Sequence, residues 1–522
     1  MAKIMKRSIS YLLAGSILGA LLFFDSCEKM LELPSGRLLP EEHAFADEFS
    51  ARSSVMGVYA LLQEVSQQLI ILGELQGDLL TVTQNADNDL RQINDHTADA
   101  LNKYADPSGF FKIIVNCNEI LHKIQRAREN DENLSELEFN TYIAELKLIR
   151  AWVYFKMVQI YGKAPYFEEP LSDYGQSLAL ESKLDSMQTE DFILDTILRQ
   201  IVELDTFDLN LLAESPFFAI RFNKFTNWAL QADIYLWRNN YAFAKRTYDR
   251  IPNILAKEGF AGTERLPYIN AWDFQDVNWK DLFQFNYSSG PFETLTLFVI
   301  PFSKLYNQQH SLQRLFYSGE GGDYMVRPTD YILNAYQAQQ VIRYEIQPQE
   351  RGTPGDLNRG LGVTYDSIDG KPVVFKYSLF REPFDNDAGI MVYRTADFHL
   401  KTCEAYARLR LTDDAIAHLN DGNLYKSAWG TGTRTRANLT GVSVEDSRFV
   451  DPVEDLIVEE RALELAYEGH RWFDLMRIAR HREDPAYLAE KVAAKFTDEM
   501  KREQVKNRLM DMENWYLPLK LK

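Results

Sequence analysis

The stretch EERALELAYEGHRWFDLMRIAR, Glu459 to Arg480, gathers the side chains of this chain best suited to acid–base chemistry. His470 and Asp474 stand four positions apart. On a continuous helix that spacing puts them on one face, where a carboxylate can orient an imidazole for proton transfer. The same geometry equally serves a buried polar network that locks helix packing, and that structural role is the one assigned. Glu459, Glu460 and Glu464 offer a second possibility, the carboxylate pair of a glycosidase. That reaction needs two carboxyls about 5–9 Å apart across a sugar cleft. Three glutamates on one solvated helix face, the arrangement expected here, provide no cleft. No GxSxG, HExxH, phosphate-binding loop or EF-hand spacing occurs, and DNDLR at Asp87 to Arg91 is too short for a calcium loop. The expectation is therefore no catalytic residues, no metal and no cofactor.

The three cysteines lie at 27, 117 and 403, none in a CxxC pair or at metal-ligand spacing from a histidine. Cys117 and Cys403 are read as buried free thiols, with a disulfide between them as the alternative. Cys27 has a different context. Lys3, Lys6 and Arg7 precede an uncharged run from Ile9 to Phe24, the order of a secretory signal and short of the roughly 20 residues that span a bilayer. The run ends at Asp25-Ser26-Cys27, a small residue before a cysteine, which resembles the site cleaved by lipoprotein signal peptidase. Residues 1–26 are thus expected to be a signal peptide, with acyl chains, palmitate among them, on Cys27 of the mature protein.

Composition excludes other classes. With 57 Lys and Arg against 76 Asp and Glu the formal charge is -19, which offers nucleic acid little to bind. Mean hydropathy of -0.32 is not that of a polytopic membrane protein. Aromatic residues reach 13%, enough to fill a core and leave some rings for ligand stacking.

These residues need a scaffold, and its periodicity is helical. A first apolar pattern runs near Phe45 to Ser66. A second helix is expected from Phe139 to Tyr161, stopped by Gly162 and Pro165, with Leu148, Trp152, Phe155 and Gln159 at helical spacing. Arg221 to Ile251 reads as two helices turning at Asn239 and Asn240, with Trp228, Ala232, Tyr235, Ala244 and Tyr248 at the spacing of a tetratricopeptide hairpin. Phe398 to Asn420 repeats the pattern with Cys403, Tyr406, Ala415 and Leu419, capped near Thr412-Asp413. Between them, Pro252 to Asp397 is rich in Gly, Pro, Asn, Asp and aromatics, includes GTPGDLNRGLG, and carries a few strand-like runs such as VVFKYS at Val373 to Ser378. Long loops on a helical scaffold usually present a binding surface. Helix returns from Val453 to Arg480, and NWYLPLK, Asn514 to Lys520, reads as a strand or extended clip.

Taken in order, the lipoprotein start, AELKLIRAWVYFKMVQIYGKAPYF, the Arg221 to Tyr248 hairpin, VYRTADFHLKTCEAYARL and EERALELAYEGHRWFDLMRIAR resemble the SusD/RagB family. The resemblance implies a mostly α fold, tetratricopeptide-like hairpin repeats with a loop-rich region packed against them. It divides the chain into a signal peptide (1–26), an N-terminal helical region (27–251) and a C-terminal region bearing the ligand-binding loops (252–522). It further implies a non-catalytic lipoprotein on the outer membrane's surface that captures oligosaccharide or peptide nutrients for a SusC-type TonB-dependent transporter.

Sugars present C–H faces to aromatic rings and hydroxyls to paired donors and acceptors. Asn88 and Arg91, in TQNADNDLRQ, and Trp272, Trp279 and Tyr287, in INAWDFQDVNWKDLFQFNYSSG, are the candidate ligand contacts, since early and central loops converge on the ligand in the family resembled. Two rivals predict different behaviour: a tetratricopeptide-like scaffold at the envelope would hold protein segments, and a hydrolase with a site in the central loops would turn its ligand over.

Overall fold

The computed structural model describes residues 45–171, 186–207, 220–250, 283, 296–340, 355–356, 358–379, 382, 385–421, 432–437 and 439–520. Cys27, Trp272, Trp279 and Tyr287 lie outside them, as does the signal segment. The contacts resolve a small unit, Met1–Ser54 with Lys123–Ser135, and a large one, Val55–His122 with Glu136–Lys522. In the small unit Asp131 Oδ2 accepts the Glu48 N–H at 3.0 Å and Asp47 Oδ1 accepts that of Ser50 at 2.8 Å.

Helices dominate the described chain. The first, α1 (Glu48–Leu75), runs nine residues past the expected end at Ser66. After β1 (Leu80–Val82) and α2 (Asn88–Asn94) come α3 (Ser108–Asn130) and α4 (Glu136–Tyr161). As expected, α4 stops at Gly162, whose φ of 72° suits a residue without a Cβ. Leu148, Trp152, Phe155 and Gln159 are all buried. The strands β2 (Lys163–Pro165) and β3 (Met187–Thr189) pair before α5 (Glu190–Glu203).

The first hairpin forms as read, α6 (Lys224–Trp237) and α7 (Tyr241–Tyr248), with Asn239 left-handed and Asn240 capping α7. Ala232 and Ala244 are fully buried, which lets the two helices close, and the buried Tyr248 hydroxyl donates across to Asp233 at 2.7 Å. Next come β4 (Thr296–Ile300), α8 (Leu312–Phe316), β5 (Val326–Pro328), α9 (Asp330–Gln337), β6 (Tyr365–Ile368), β7 (Lys371–Val374) and β8 (Ile390–Arg394). The second hairpin is α10 (Thr395–Arg408) and α11 (Thr412–Asp421). Its Leu400, Cys403, Ala415 and Leu419 share a core with Val453 and Ile457. The chain closes with α12 (Thr433–Arg436), α13 (Val450–Leu465), α14 (Arg471–Arg482), α15 (Pro485–Ala493) and α16 (Glu499–Leu509). The final clip is extended, and the Leu517 N–H donates to the Ile160 carbonyl at 2.9 Å.

Each sheet among the described residues has two antiparallel strands: β1 with β5, β2 with β3, β4 with β8, β6 with β7. Cys117 and Cys403 are both free and buried, and burial pushes the Cys117 thiol up to about 12.

Three expectations need correction. The helix expected from Val453 to Arg480 is two helices, because Tyr467 and Gly469 adopt positive φ (70° and 88°) in a tight turn between them. Consequently His470 precedes α14 as its N-cap, and Asp474 pairs with Arg461 and Arg477. Glu460 and Glu464 are buried rather than solvated, because arginines from distant segments surround them. The strand in VVFKYS ends at Val374. Lys376 leaves it to donate to the Ala466 carbonyl at 2.8 Å and to Glu468 at 2.7 Å.

Candidate functional site

Two groups of residues merit separate treatment, a buried ionic core and an exposed rim of loops. In the core Arg359, 1% exposed, meets Asp356 at 2.6 Å, Glu460 at 2.7 Å and Glu464 at 2.9 Å. Arg394 meets Glu464 at 2.6 Å and Glu468 at 2.7 Å, and Arg434 meets Glu460 at 2.7 Å. On α14, Arg477 binds Glu404 at 2.6 Å and Arg471 binds Asp78 at 2.6 Å. Burial alone would raise the Asp474 carboxyl, but Arg461 and Arg477 hold it down to about 2. Every carboxylate in this set is committed to a guanidinium.

Burial pushes the imidazole of His470 down to about 4. Glu404, Glu454 and His481 bring ligand atoms within 4.8 Å of one another. Positive charge is already supplied there by Arg477 on Glu404 and by Arg408 and Arg482 on Glu454, so the donor set fits an ion-pair cluster better than a metal. A cavity of about 30 Å³ touches Trp152, Lys156, Trp237, Lys401 and His470, room for water and far too little for a sugar ring.

The turn at Tyr467–Gly469 is sealed against α1. A Cβ on Gly73 would fall 2.1 Å from the Gly469 carbonyl oxygen. Beside it, Glu74 Oε1 accepts the N–H groups of Gly469 at 2.7 Å and His470 at 2.9 Å, the free donors at the start of α14. Burial pushes the Glu74 carboxyl up to about 7 despite those donors.

The rim begins where β1 ends. Thr83 N–H donates to the Met325 carbonyl at 2.9 Å, and Asn85 Nδ2 to the Asp323 carbonyl at 3.1 Å. Asp87 caps α2 by accepting the Leu90 N–H at 2.9 Å. Arg91 donates to the carbonyls of Ala86 at 3.1 Å, Gln84 at 2.7 Å and Thr83 at 3.3 Å. It therefore shapes the loop from within, while Gln84, Asn85 and Asn88 remain exposed. Lys103 closes on Asp87 at 2.6 Å.

From the central region, Asp323 also holds Arg314 at 2.9 Å, and the Arg314 N–H donates to Asn386 Oδ1 at 3.3 Å. The same 385–388 segment braces a tight turn. Ser303 bridges to Gln308, Asn307 turns left-handed, Lys304 pairs with Asp385 at 2.6 Å, and the His310 N–H reaches the Asn386 carbonyl at 2.8 Å. On this turn Leu305 and Tyr306 are 86% and 73% exposed. Large apolar side chains held outward on a fastened backbone are what a ligand can stack on without ordering the site first.

Of the five ligand contacts expected from sequence, Asn88 and Arg91 fall on this rim, and Trp272, Trp279 and Tyr287 lie outside the described residues. Sequence reasoning missed Leu305 and Tyr306. The only signal was a bulky pair in a polar setting, KLYNQQ.

The described residues thus combine helical hairpins with loops fastened to one another by hydrogen bonds and ion pairs. Residues 363–521 match the family described as SusD, and residues 48–236 match the one described as starch-binding, associating with the outer membrane. The chain belongs to the SusD family. It is similar to SusD-like protein P38 of Formosa agariphila, 24% identical over 91% of this chain and 92% of the relative. SusD-like protein P2 of the same organism is 22% identical over 88% and 89%. Among solved structures, a SusD superfamily protein from Bacteroides vulgatus superposes with a TM-score of 0.66 at 16% identity, covering 88% of this chain and 93% of that one. A laminarin-binding SusD-like protein superposes with a TM-score of 0.60 at 17% identity, covering 87% and 95%.

Proposed function

We propose that the chain is a non-catalytic surface lipoprotein, acylated on Cys27, that captures an oligosaccharide and delivers it to a SusC-type TonB-dependent transporter. The observation that carries the binding role is the braced rim, where exposed Leu305 and Tyr306 lie on a turn linked through Asn386, Arg314 and Asp323 to the loop bearing Asn85 and Asn88. A ring and an apolar edge accept a pyranose face, and the carboxamides both donate to and accept from its hydroxyls. Trp272, Trp279 and Tyr287 belong to the same proposal as further stacking residues.

Affinity electrophoresis of the protein in gels carrying laminarin, starch, mannan or xylan tests the binding role. Retardation by one of them is expected, and Tyr306→Ala is expected to weaken it by about 1–2 kcal/mol, roughly 5- to 30-fold, with unchanged thermal stability. Equal retention of the variant would remove Tyr306 from the site. For delivery, tagged protein purified from native outer membranes is expected to bring down a large barrel. Cys27→Ala is expected to leave the protein in the soluble fraction. Membrane retention of that variant would refute the anchor.

A further inference from the structure

The small cavity touching His470 is rich in donors that lack acceptors. It measures about 30 Å³, where a water-sized guest needs roughly 10–15 Å³. Lys156, on α4, lines it and gives a hydrogen to Gln159 Oε1 at 3.1 Å, but forms no ion pair among the described residues. Around the ammonium stand the rings of Trp152, Phe155 and Phe473, their centroids at 6.0, 5.9 and 5.4 Å. Trp152, another lining residue, is 1% exposed, and its indole N–H is buried without a partner among the described residues. Gln159 spends only its oxygen on Lys156, so its amide hydrogens are unspent too.

The carboxylates of the lining are held by other groups. Asp233 accepts from Lys401 at 2.7 and 2.8 Å and from the Tyr248 hydroxyl at 2.7 Å, and Asp474 accepts from Arg461 at 2.8 Å and Arg477 at 2.9 Å. Behind them, Asp397 is paired with Lys401 and Arg461, and Glu404 with Arg477. Within the lining three cations, Lys156, Lys401 and Arg477, face two carboxylates. Water satisfies free N–H groups but leaves the charge of the ammonium unanswered; a small anion answers both. We infer that the cavity binds a monatomic monovalent anion, a halide such as chloride, on the Lys156 ammonium and the Trp152 indole N–H. The site shares no residue with the loop rim and does not depend on the glycan-binding role.

The test titrates the purified protein with sodium chloride, holding ionic strength constant with sodium gluconate, whose anion is too large for the cavity. Burial pushes the Lys156 amine down to about 8, so a titration at about pH 6.5 keeps it charged. Chloride-35 NMR is expected to show line broadening that bromide displaces. The thermal midpoint is expected to rise along a single-site curve, by about 1–2 °C at about 300 mM chloride. Trp152→Phe is expected to weaken binding at least about threefold, and Lys156→Met to abolish it. Should Lys156→Met fail to fold, crystals of the unaltered protein soaked in bromide carry the test, with an anomalous peak expected within hydrogen-bond reach of Lys156 Nζ. Identical behaviour in chloride and gluconate, undiminished displaceable broadening in Lys156→Met, or a bromide-soaked crystal without that peak would each overturn the inference.

Discussion

Replacing Glu464 by alanine is expected to destabilise the protein by about 3–5 kcal/mol, read as a lowered midpoint in urea unfolding. Its carboxylate lies between Arg359 and Arg394, and all three side chains are almost fully buried. Removal leaves two guanidinium groups short of an acceptor where water cannot replace it, and an uncompensated buried charge costs far more than the intact pair contributes. Glu459, five residues earlier on the same helix, is the control. Its pair with Lys491 at 2.9 Å is part-exposed, so Glu459→Ala is expected to cost about 1 kcal/mol or less. Equal losses at the two positions would show that the network is no stronger than a surface ion pair.

The second large effect is expected at Gly73, with Gly73→Ala losing about 2–4 kcal/mol. The added methyl meets backbone, since the carbonyl oxygen and carbon of Gly469 lie 2.1 Å and 2.4 Å from its position. Flexible side chains could move aside; a turn held by Glu74 cannot. Separation of α1 from that turn also strips the N–H groups of Gly469 and His470 of their acceptor. Gly57, in the same helix, has nothing within 4 Å of a built Cβ. Gly57→Ala is therefore expected to raise stability by about 0.5–1 kcal/mol, through the lower entropy of the unfolded chain. A similar response at both glycines in thermal unfolding would remove the close contact as a cause.

Helix pairing was legible because it depends on neighbours in sequence. Ala232 and Ala244, or Cys403 and Ala415, announce a close approach within about a dozen residues, and Gly162 announces a stop. The ionic core was not legible in the same way. Glu460 and Glu464 look like a solvated face until Arg359 and Arg394 arrive from about 70 to 100 residues away. The break after Leu465 had one sign, Gly469, and none for the left-handed Tyr467. On the rim, Asn88 could be suspected from its polar neighbours. The outward display of Tyr306 could not, because it follows from clamps to Asp385 and Asn386 that no periodicity encodes.

The contacts between the end of α1 and the start of α14 also govern how the chain reaches its fold. Glu74 and Asp78 find their partners 395 and 393 residues further on. Closing so long a loop is entropically expensive before any contact rewards it, so this step belongs late in folding. Much of α1 meets its neighbours early, since Gln68 donates to the carbonyls of Tyr104 and Asp106, but Glu74 and Asp78 at its end lack their partners until almost all of the chain has arrived. This end alone therefore stays open through synthesis, and the Gly73–Gly469 contact serves as the closing step that fixes the end of the first helix to the last helices.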